Sequence, residues 1–138
     1  FFFREHILDY EKRLICSIQG SGTHVLYHNC GDARNMIEVY NDLGMRAFET
    51  MTEPPYADND LKDAVSRFDK DIVLLGNVDQ ISFLRSATAG EVKEKVMEKL
   101  DIAKERTGFI LAASDFIEEN TPYENLFAMV EAAREYYR

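Results

Sequence analysis

The chain has no tryptophan, only three prolines and two cysteines, and no surplus of positive charge: 16 Lys and Arg face 25 Asp and Glu, for a formal net charge of −9. Each shortage excludes something. Cys16 falls inside a helical pattern and Cys30 at a strand end, so neither count nor spacing supports a disulfide framework, and a reducing compartment fits best. Without a Lys/Arg cluster the chain has no counterpart for a phosphate backbone, and no nucleic-acid partner is expected. No apolar run approaches a membrane span. The opening "FFFREHILDYEKRL" turns charged after three residues, so it reads as neither signal peptide nor anchor, and the expected setting is soluble and cytoplasmic. Gly/Ser linkers and low-complexity segments are missing too. With 138 residues, 46% of them hydrophobic, the chain suits one compact domain or a piece of one. It starts at Phe1 with a helix in progress, which suggests a fragment of something longer.

What is present is an alternation of helix and strand patterns. Ile7, Tyr10, Leu14 and Ile18 recur at helical spacing before "QGSG", whose glycines can end a helix in a left-handed conformation. A first strand is expected over His24 to Cys30. Met36, Ile37, Val39, Tyr40 and Leu43 form a helix stripe ending at Gly44, and "MRAFETM" reads as the second strand. "TEPPYADND" is a loop, because consecutive prolines suit neither a helix interior nor a central strand. It opens a helix with Leu61, Ala64, Val65 and Phe68 on its apolar face. "DIVLLGNV" is nearly continuous in apolar residues, as in a parallel strand covered on both faces. Thr88 and Glu91 make a capping box for a helix that buries Val92, Val96, Leu100 and Ala103. "GFILAAS" is the fourth strand. Thr121, Pro122 and Glu124 repeat the cap with proline at the first helical position, and Leu126, Met129, Val130, Ala133 and Tyr137 supply the last apolar face.

One helix followed by four βα units gives an α/β fold with a parallel sheet and right-handed crossovers, either doubly wound or part of a (β/α)8 barrel. Both architectures put function at the carboxyl ends of the strands. Here those ends are His28/Cys30, Glu49/Thr50, Asn77/Asp79 and Ser114/Asp115.

Residues i and i+2 of a strand share a face, so His28 and Cys30 can approach one ion while Asn29 points away. Imidazole and thiolate are zinc ligands, and a catalytic zinc takes three protein ligands with a fourth position open. Asp115, at the end of the last strand, is the best local third. An isolated His-x-Cys is nevertheless more often a bonded histidine beside a small buried cysteine. Asp79 can contact a substrate or cap the turn it begins. Glu49 can support a neighbouring ligand or be an interior carboxylate with a partner of its own. His6 and His24 read as solvent-facing or structural, and the charged run "EVKEKVMEKLDIAKE" as a solvated face with i,i+4 pairs. "GSG" precedes a strand rather than following one, so it is no phosphate loop.

Over nearly its whole length the chain resembles the C-terminal half of the uroporphyrinogen decarboxylase superfamily, and within it the cobalamin-dependent methyltransferase branch. "FREHILDYEKRL" is similar to the helix before the fifth strand, "LLGNVDQ" to the family's "GN-x-D" turn, and "TPYENLFAMVEAAREY" to its closing helix. "HNCGD" is the discriminating match, because the decarboxylases generally lack the His-x-Cys pair that supplies two zinc ligands in the methyltransferases. That resemblance implies His28 and Cys30 as zinc ligands. It also implies a third ligand where the family often has a cysteine and this chain has Asp115 in "ASDF".

The implied fold is the C-terminal half of a (β/α)8 barrel, a single partial domain over residues 1–138. The implied activity is methyl transfer between a small methylated or thiol substrate and a corrinoid (cobalamin) carried on a partner protein. In that picture zinc binds the substrate heteroatom, and Asp79 and Glu49 orient substrate as catalytic residues. The alternatives are a uroporphyrinogen decarboxylase, which needs neither metal nor cofactor, or a non-catalytic α/β binding module or inactive fragment. A half-barrel has two unpaired sheet edges and is expected to self-associate.

Overall fold

The computed structural model describes residues 2–138. Two helices open it, α1 (Phe2–His6) and α2 (Leu8–Gln19), and the units that follow are β1 (Leu26–Asn29), a 3-10 turn (Arg34–Met36) with α3 (Ile37–Asn41), β2 (Ala47–Thr50), α4 (Leu61–Arg67), β3 (Val73–Val78), α5 (Phe83–Ser86), α6 (Ala89–Ala103), β4 (Phe109–Ala113) and α7 (Tyr123–Tyr136). The strands form one sheet in the order β1-β2-β3-β4. Every pairing is parallel, and one register row runs His28–Glu49–Leu75–Ile110 across the sheet. The expected α/β architecture with a parallel sheet is therefore present.

Helices cover one face of the sheet. Behind β1 and β2, Phe48 packs in tilted contact with Phe68 and Tyr40, with ring centroids 4.9 Å and 5.3 Å away, among Ile37, Leu61 and Leu74. Behind β3 and β4, Val78 meets Leu84, Val92, Val96, Leu100, Ala128 and Ala132. Phe109 packs against both groups and joins them into one layer. The other face is uncovered among the described residues: Leu26 is 46% and Ile110 51% exposed, and Val73 and Leu75 are only half-buried. The apolar run of β3 is thus covered on one face and not two.

Local chemistry accounts for the element ends. Thr88 and Glu91 form the expected reciprocal capping box, and Asp60 caps α4 by accepting from the Asp63 amide at 2.7 Å. Gly44 takes a left-handed φ of 79° where the α3 segment stops. Gly76 is obligatory for another reason: its φ is 139° and a Cβ there would lie 2.8 Å from the Thr50 carbonyl oxygen.

Several expectations are corrected. On α2 the buried positions are Leu8 and Ile15, while Tyr10, Leu14 and Ile18 face out; the stripe was apolar, but the helix rotates a different face inward. Gly20 is right-handed and Gly22 left-handed, so the turn comes later in "QGSG". Strand β1 is shorter than His24–Cys30, and Cys30 sits just past its end. Pro122 occupies the cap position of α7 rather than the first helical one, and the Thr121 hydroxyl donates to the Glu118 carbonyl instead of capping. Helix α7 buries Asn125, Ala128 and Ala132, with Val130 and Tyr137 exposed. Small residues on that line let it approach α6 closely, and the larger ones are displaced to the flanks.

Arg106 has no counterpart in any motif, yet it closes the bottom of the layer. Its guanidinium donates to the carbonyls of Val65, Phe68, Asp69 and Ile72 at 2.6 to 3.1 Å. Arg106→Met would leave buried carbonyls unpaired. The expected loss is about 2–4 kcal/mol of stability, read as a lower urea midpoint with unchanged m-value.

Candidate metal centre

The carboxyl ends of β1, β2 and β4 meet at the mouth of the uncovered face. Tyr27 and Asn29 turn toward the helices, so His28 projects onto the open face, and Cys30 follows on the same side. The Nδ1 of His28 lies 3.0 Å from Glu49 Oε1, its partner in the register row. A carboxylate can only accept, so the proton belongs on Nδ1 and the Nε2 lone pair points away from Glu49. That Nε2 is 4.0 Å from Asp115 Oδ2. The donor atoms of His28, Cys30 and Asp115 all lie within 4.8 Å of one another.

Tetrahedral zinc with bonds of about 2.0–2.3 Å separates its donors by about 3.3–3.8 Å. A cluster whose donors span up to 4.8 Å therefore needs about 1 Å of closure. Exposed Cys30 and half-exposed His28 can supply that by side-chain rotation. Imidazole, thiolate and carboxylate form a donor set that would suit zinc. A carboxylate on the far nitrogen of a ligand histidine is the usual way to fix its tautomer and orientation.

The Cys30 turn is itself held from several sides. Asn29 Oδ1 accepts from the Gly31 amide at 3.1 Å and Asn29 Nδ2 donates to Tyr40 Oη at 3.0 Å. Buried Asn59 donates to the carbonyls of Gly31, at 3.2 Å, and Thr52, at 2.9 Å. Asp58 accepts from the amides of Ala33 and Arg34. Burial, with Tyr27 adding to it, pushes the Tyr40 phenol up to about 12, so it stays neutral as a partner for Asn29.

Asp79 does not join the cluster. Its carboxylate accepts from the amides of Ile81 and Phe83 at 2.8 and 3.0 Å, from the Ser82 amide at 3.3 Å, and from the Ser82 hydroxyl at 2.5 Å. Partial burial raises this carboxyl, but the Ser82 hydroxyl and the three amides outweigh that and hold it below the usual carboxylate value of 3.8. Of the two roles open to it in the sequence, the cap is the one whose hydrogen bonds are formed.

Lys99 corrects the reading of the α6 charged run as a solvated face. It is 2% exposed, and its ammonium donates to Glu53 at 2.9 Å and to Asn77 at 3.0 Å. Desolvation lowers its pKa against the pull of Glu53. Its spacing from Val92 and Val96, seven and three residues, placed it on the buried stripe, a signal overlooked because the residue is charged. Asn125, on the line of Ala128 and Ala132, is the same case: it donates to the carbonyls of Leu84 and Ala87. His6 and His24 are exposed, as expected.

A cavity of about 460 Å³ opens over the cluster, bounded by His28, Glu49, Leu111, Asp115, Ile117 and Met129. Buried Ser114 also lines it, with a hydroxyl that has no hydrogen-bond partner. A larger concavity of about 720 Å³ lies at the amino ends of the strands beside His24 and Arg46, the end that carries stability rather than chemistry in barrels.

A curled parallel β/α sheet with metal-competent side chains at its carboxyl ends defines an α/β protein of the barrel type. The family model described as uroporphyrinogen decarboxylase (URO-D) matches residues 2–136, and the chain belongs to that family. Its relatives include the methylcobamide:CoM methyltransferases MtbA of Methanosarcina acetivorans and Methanosarcina mazei, which are 25% and 26% identical over 135 residues. Each alignment takes in 98% of this chain, which spans 37% of the length of either relative. The fold is shared with a methyltransferase from Methanosarcina mazei, at a TM-score of 0.81 and 23% identity, over 99% of this chain and 37% of that one. No helix among the described residues is long and apolar enough to cross a membrane.

The part that the Asp79 charge plays in the cap is testable by pH. A depressed native pKa means stability that is present above the unfolded-state value and is lost as pH falls through and below it. Asp79→Asn is expected to lower the urea midpoint at pH 7 and to cost markedly less at pH 3; an equal loss at both would show that its charge is not what the turn uses.

Proposed function

We propose that this chain is the metal-binding half of a methyltransferase of the uroporphyrinogen decarboxylase family, holding zinc through His28, Cys30 and Asp115. One observation carries the reading: a nitrogen, a sulfur and an oxygen donor converge within 4.8 Å at the strand ends. Glu49, at 3.0 Å from His28 Nδ1, sets the tautomer that offers Nε2 to the metal. Zinc bound there supplies Lewis acidity that favours a thiolate over a thiol at neutral pH.

The chain's own residues do the rest. Glu49 orients His28 and takes part in substrate positioning through it. Asp79 fixes the turn between β3 and α5 and so shapes the neighbouring wall. Leu111, Ile117 and Met129 give the cavity an apolar side that keeps water from a small sulfur or methylated substrate. A corrinoid carried on a partner protein would be the other party to the methyl transfer, a reading supported by the relatives named methylcobamide methyltransferases. Residues 1–138 act as one partial domain, half of a (β/α)8 barrel, in the cytoplasm. The exposed concave residues and the unpaired edges of β1 and β4 support self-association when the chain is alone.

Elemental analysis after purification without chelator tests the metal. About one zinc per chain is expected; thiolate and imidazole carry most of the affinity, so Cys30→Ala is expected to lose more zinc than Asp115→Ala. A chain that carries none and binds none at micromolar supply removes the reading and leaves the metal-free decarboxylase as the better account. Sedimentation at micromolar concentration is expected to show dimers or larger species; a monodisperse monomer that binds no hydrophobic dye would refute the assembly.

A further inference from the structure

We infer that Lys99, a buried lysine on α6 that touches none of the metal-binding side chains, is a positioning residue for the metal centre, acting through the loop that carries β2 into α4. The inference rests on the zinc reading and deepens it. The charge of Lys99 needs a reason. It stands on the buried stripe of α6 with Val92, Val96 and Leu100, where leucine or methionine would pack without the cost of desolvating an ammonium. That ammonium is committed to two acceptors, Glu53 Oε2 at 2.9 Å and Asn77 Oδ1 at 3.0 Å. Both lead to the same loop: Glu53 belongs to it, and Asn77 donates from β3 to the Met51 carbonyl at 3.2 Å. The chain leaves β2 through two consecutive non-glycine residues in the left-handed region, Thr50 at φ 89° and Met51 at φ 48°. Such a conformation persists only where its neighbours over-determine it. Lys99 supplies that constraint at Met51 and Glu53 together.

The same stretch of chain brackets Cys30. On one side the Thr50 hydroxyl donates to the Asn29 carbonyl at 2.6 Å. On the other, buried Asn59 donates to the Gly31 carbonyl at 3.2 Å and back to the Thr52 carbonyl at 2.9 Å. The carbonyls before and after Cys30 are thus both held from one turn. Glu49, whose Oε1 lies 3.0 Å from His28 Nδ1, directly precedes Thr50. A shift of this turn therefore moves the thiol and the support of the imidazole together, while Asp115, after β4, takes no part in these bonds. The three donors span up to 4.8 Å and must close further around an ion. Loss of definition at the turn consequently falls on metal affinity.

The test reads metal affinity in the folded full chain against stability. Metal-free protein is titrated with cobalt(II) against a competing chelator, and coordination by Cys30 is followed through the thiolate-to-cobalt absorbance in the near ultraviolet. Lys99→Met keeps the stem of the side chain and removes the ammonium. It is expected to weaken cobalt binding about tenfold, as loss of a group that supports a metal ligand does, and to lower that absorbance at saturation. Glu53→Gln leaves Lys99 a neutral acceptor and is expected to shift affinity the same way by less. Arg106→Met, which unpairs buried carbonyls at the amino ends of the strands, is expected to lower the urea midpoint while leaving cobalt affinity unchanged. A Lys99 that only braces the fold would behave like Arg106, and an unchanged affinity in Lys99→Met overturns the inference while the metal centre stands. If Lys99→Met does not fold, Glu53→Gln decides alone, with unchanged affinity as the overturning result. A parent chain that takes no cobalt removes the zinc reading and this inference with it.

Discussion

The site depends on the curl of the sheet. Strands β1 and β4 are its two edges, separated by β2 and β3, and three interstrand steps of about 4.8 Å would set them about 14 Å apart in a flat sheet. His28 on β1 and Asp115 after β4 nevertheless approach to 4.0 Å. The register row that starts at His28 reaches β4 at Ile110, five residues before Asp115. A meeting so far off the row requires strands that tilt as well as curl, which is the stagger a closed barrel imposes. The donor cluster is therefore a property of tilt and curvature, and neither His28 nor Asp115 could make it on a flat sheet.

Hydrogen bonds that cross between elements hold this curvature at the strand ends. Lys99 reaches up from α6 to Asn77 and Glu53, and Asn77 donates to the Met51 carbonyl at 3.2 Å. Asn59 then joins Thr52 to Gly31, beside Cys30. The path runs from the outer helix layer through β3 and the β2–α4 loop to the Cys30 turn, and its polar members Lys99, Asn77 and Asn59 are all buried. Buried polar groups are costly unless paired, so each fixes the partner it meets. Gly76 belongs to the same device, since any larger residue would push β3 away from the Thr50 carbonyl.

Periodicity made the fold legible and chain topology did not stand in its way: the strands, the capping box at Thr88 and the buried stripe Val92–Val96–Leu100 follow from local spacing alone. Local spacing fails where a helix has two apolar faces to choose from. On α2 the outward Tyr10–Leu14–Ile18 line is as apolar as the inward Leu8–Ile15 one, and only the sheet decides between them. On α7 the shortest approach to α6 favoured Ala128 and Ala132 over larger neighbours. The cluster was half legible: His28 and Cys30 share a strand face by the pleat, whereas their approach to Asp115 depends on long-range curvature. Lys99 and Asn125 carried the correct spacing but the wrong polarity for a pattern that looks for hydrophobes, and Arg106 follows no period at all.

The same register row explains how one surface can be both a site and a packing face. It is polar at β1 and β2, with His28 and Glu49, and apolar at β3 and β4, with Leu75 and Ile110; the row below, Leu26–Ala47–Val73, is wholly apolar. Tilt carries β4 downward relative to β1, so that Asp115 rather than Ile110 stands level with His28, and Ile110 drops toward the apolar residues below. What reads along the strands as a mixed pattern becomes, in the curled sheet, a polar rim over an apolar floor. Inward-facing layers of this kind fill a barrel interior. On the half-barrel reading, the exposure of Leu26 and Ile110 and the polarity of the rim then have one origin: the floor is built to be packed against, and the rim to be left open for chemistry.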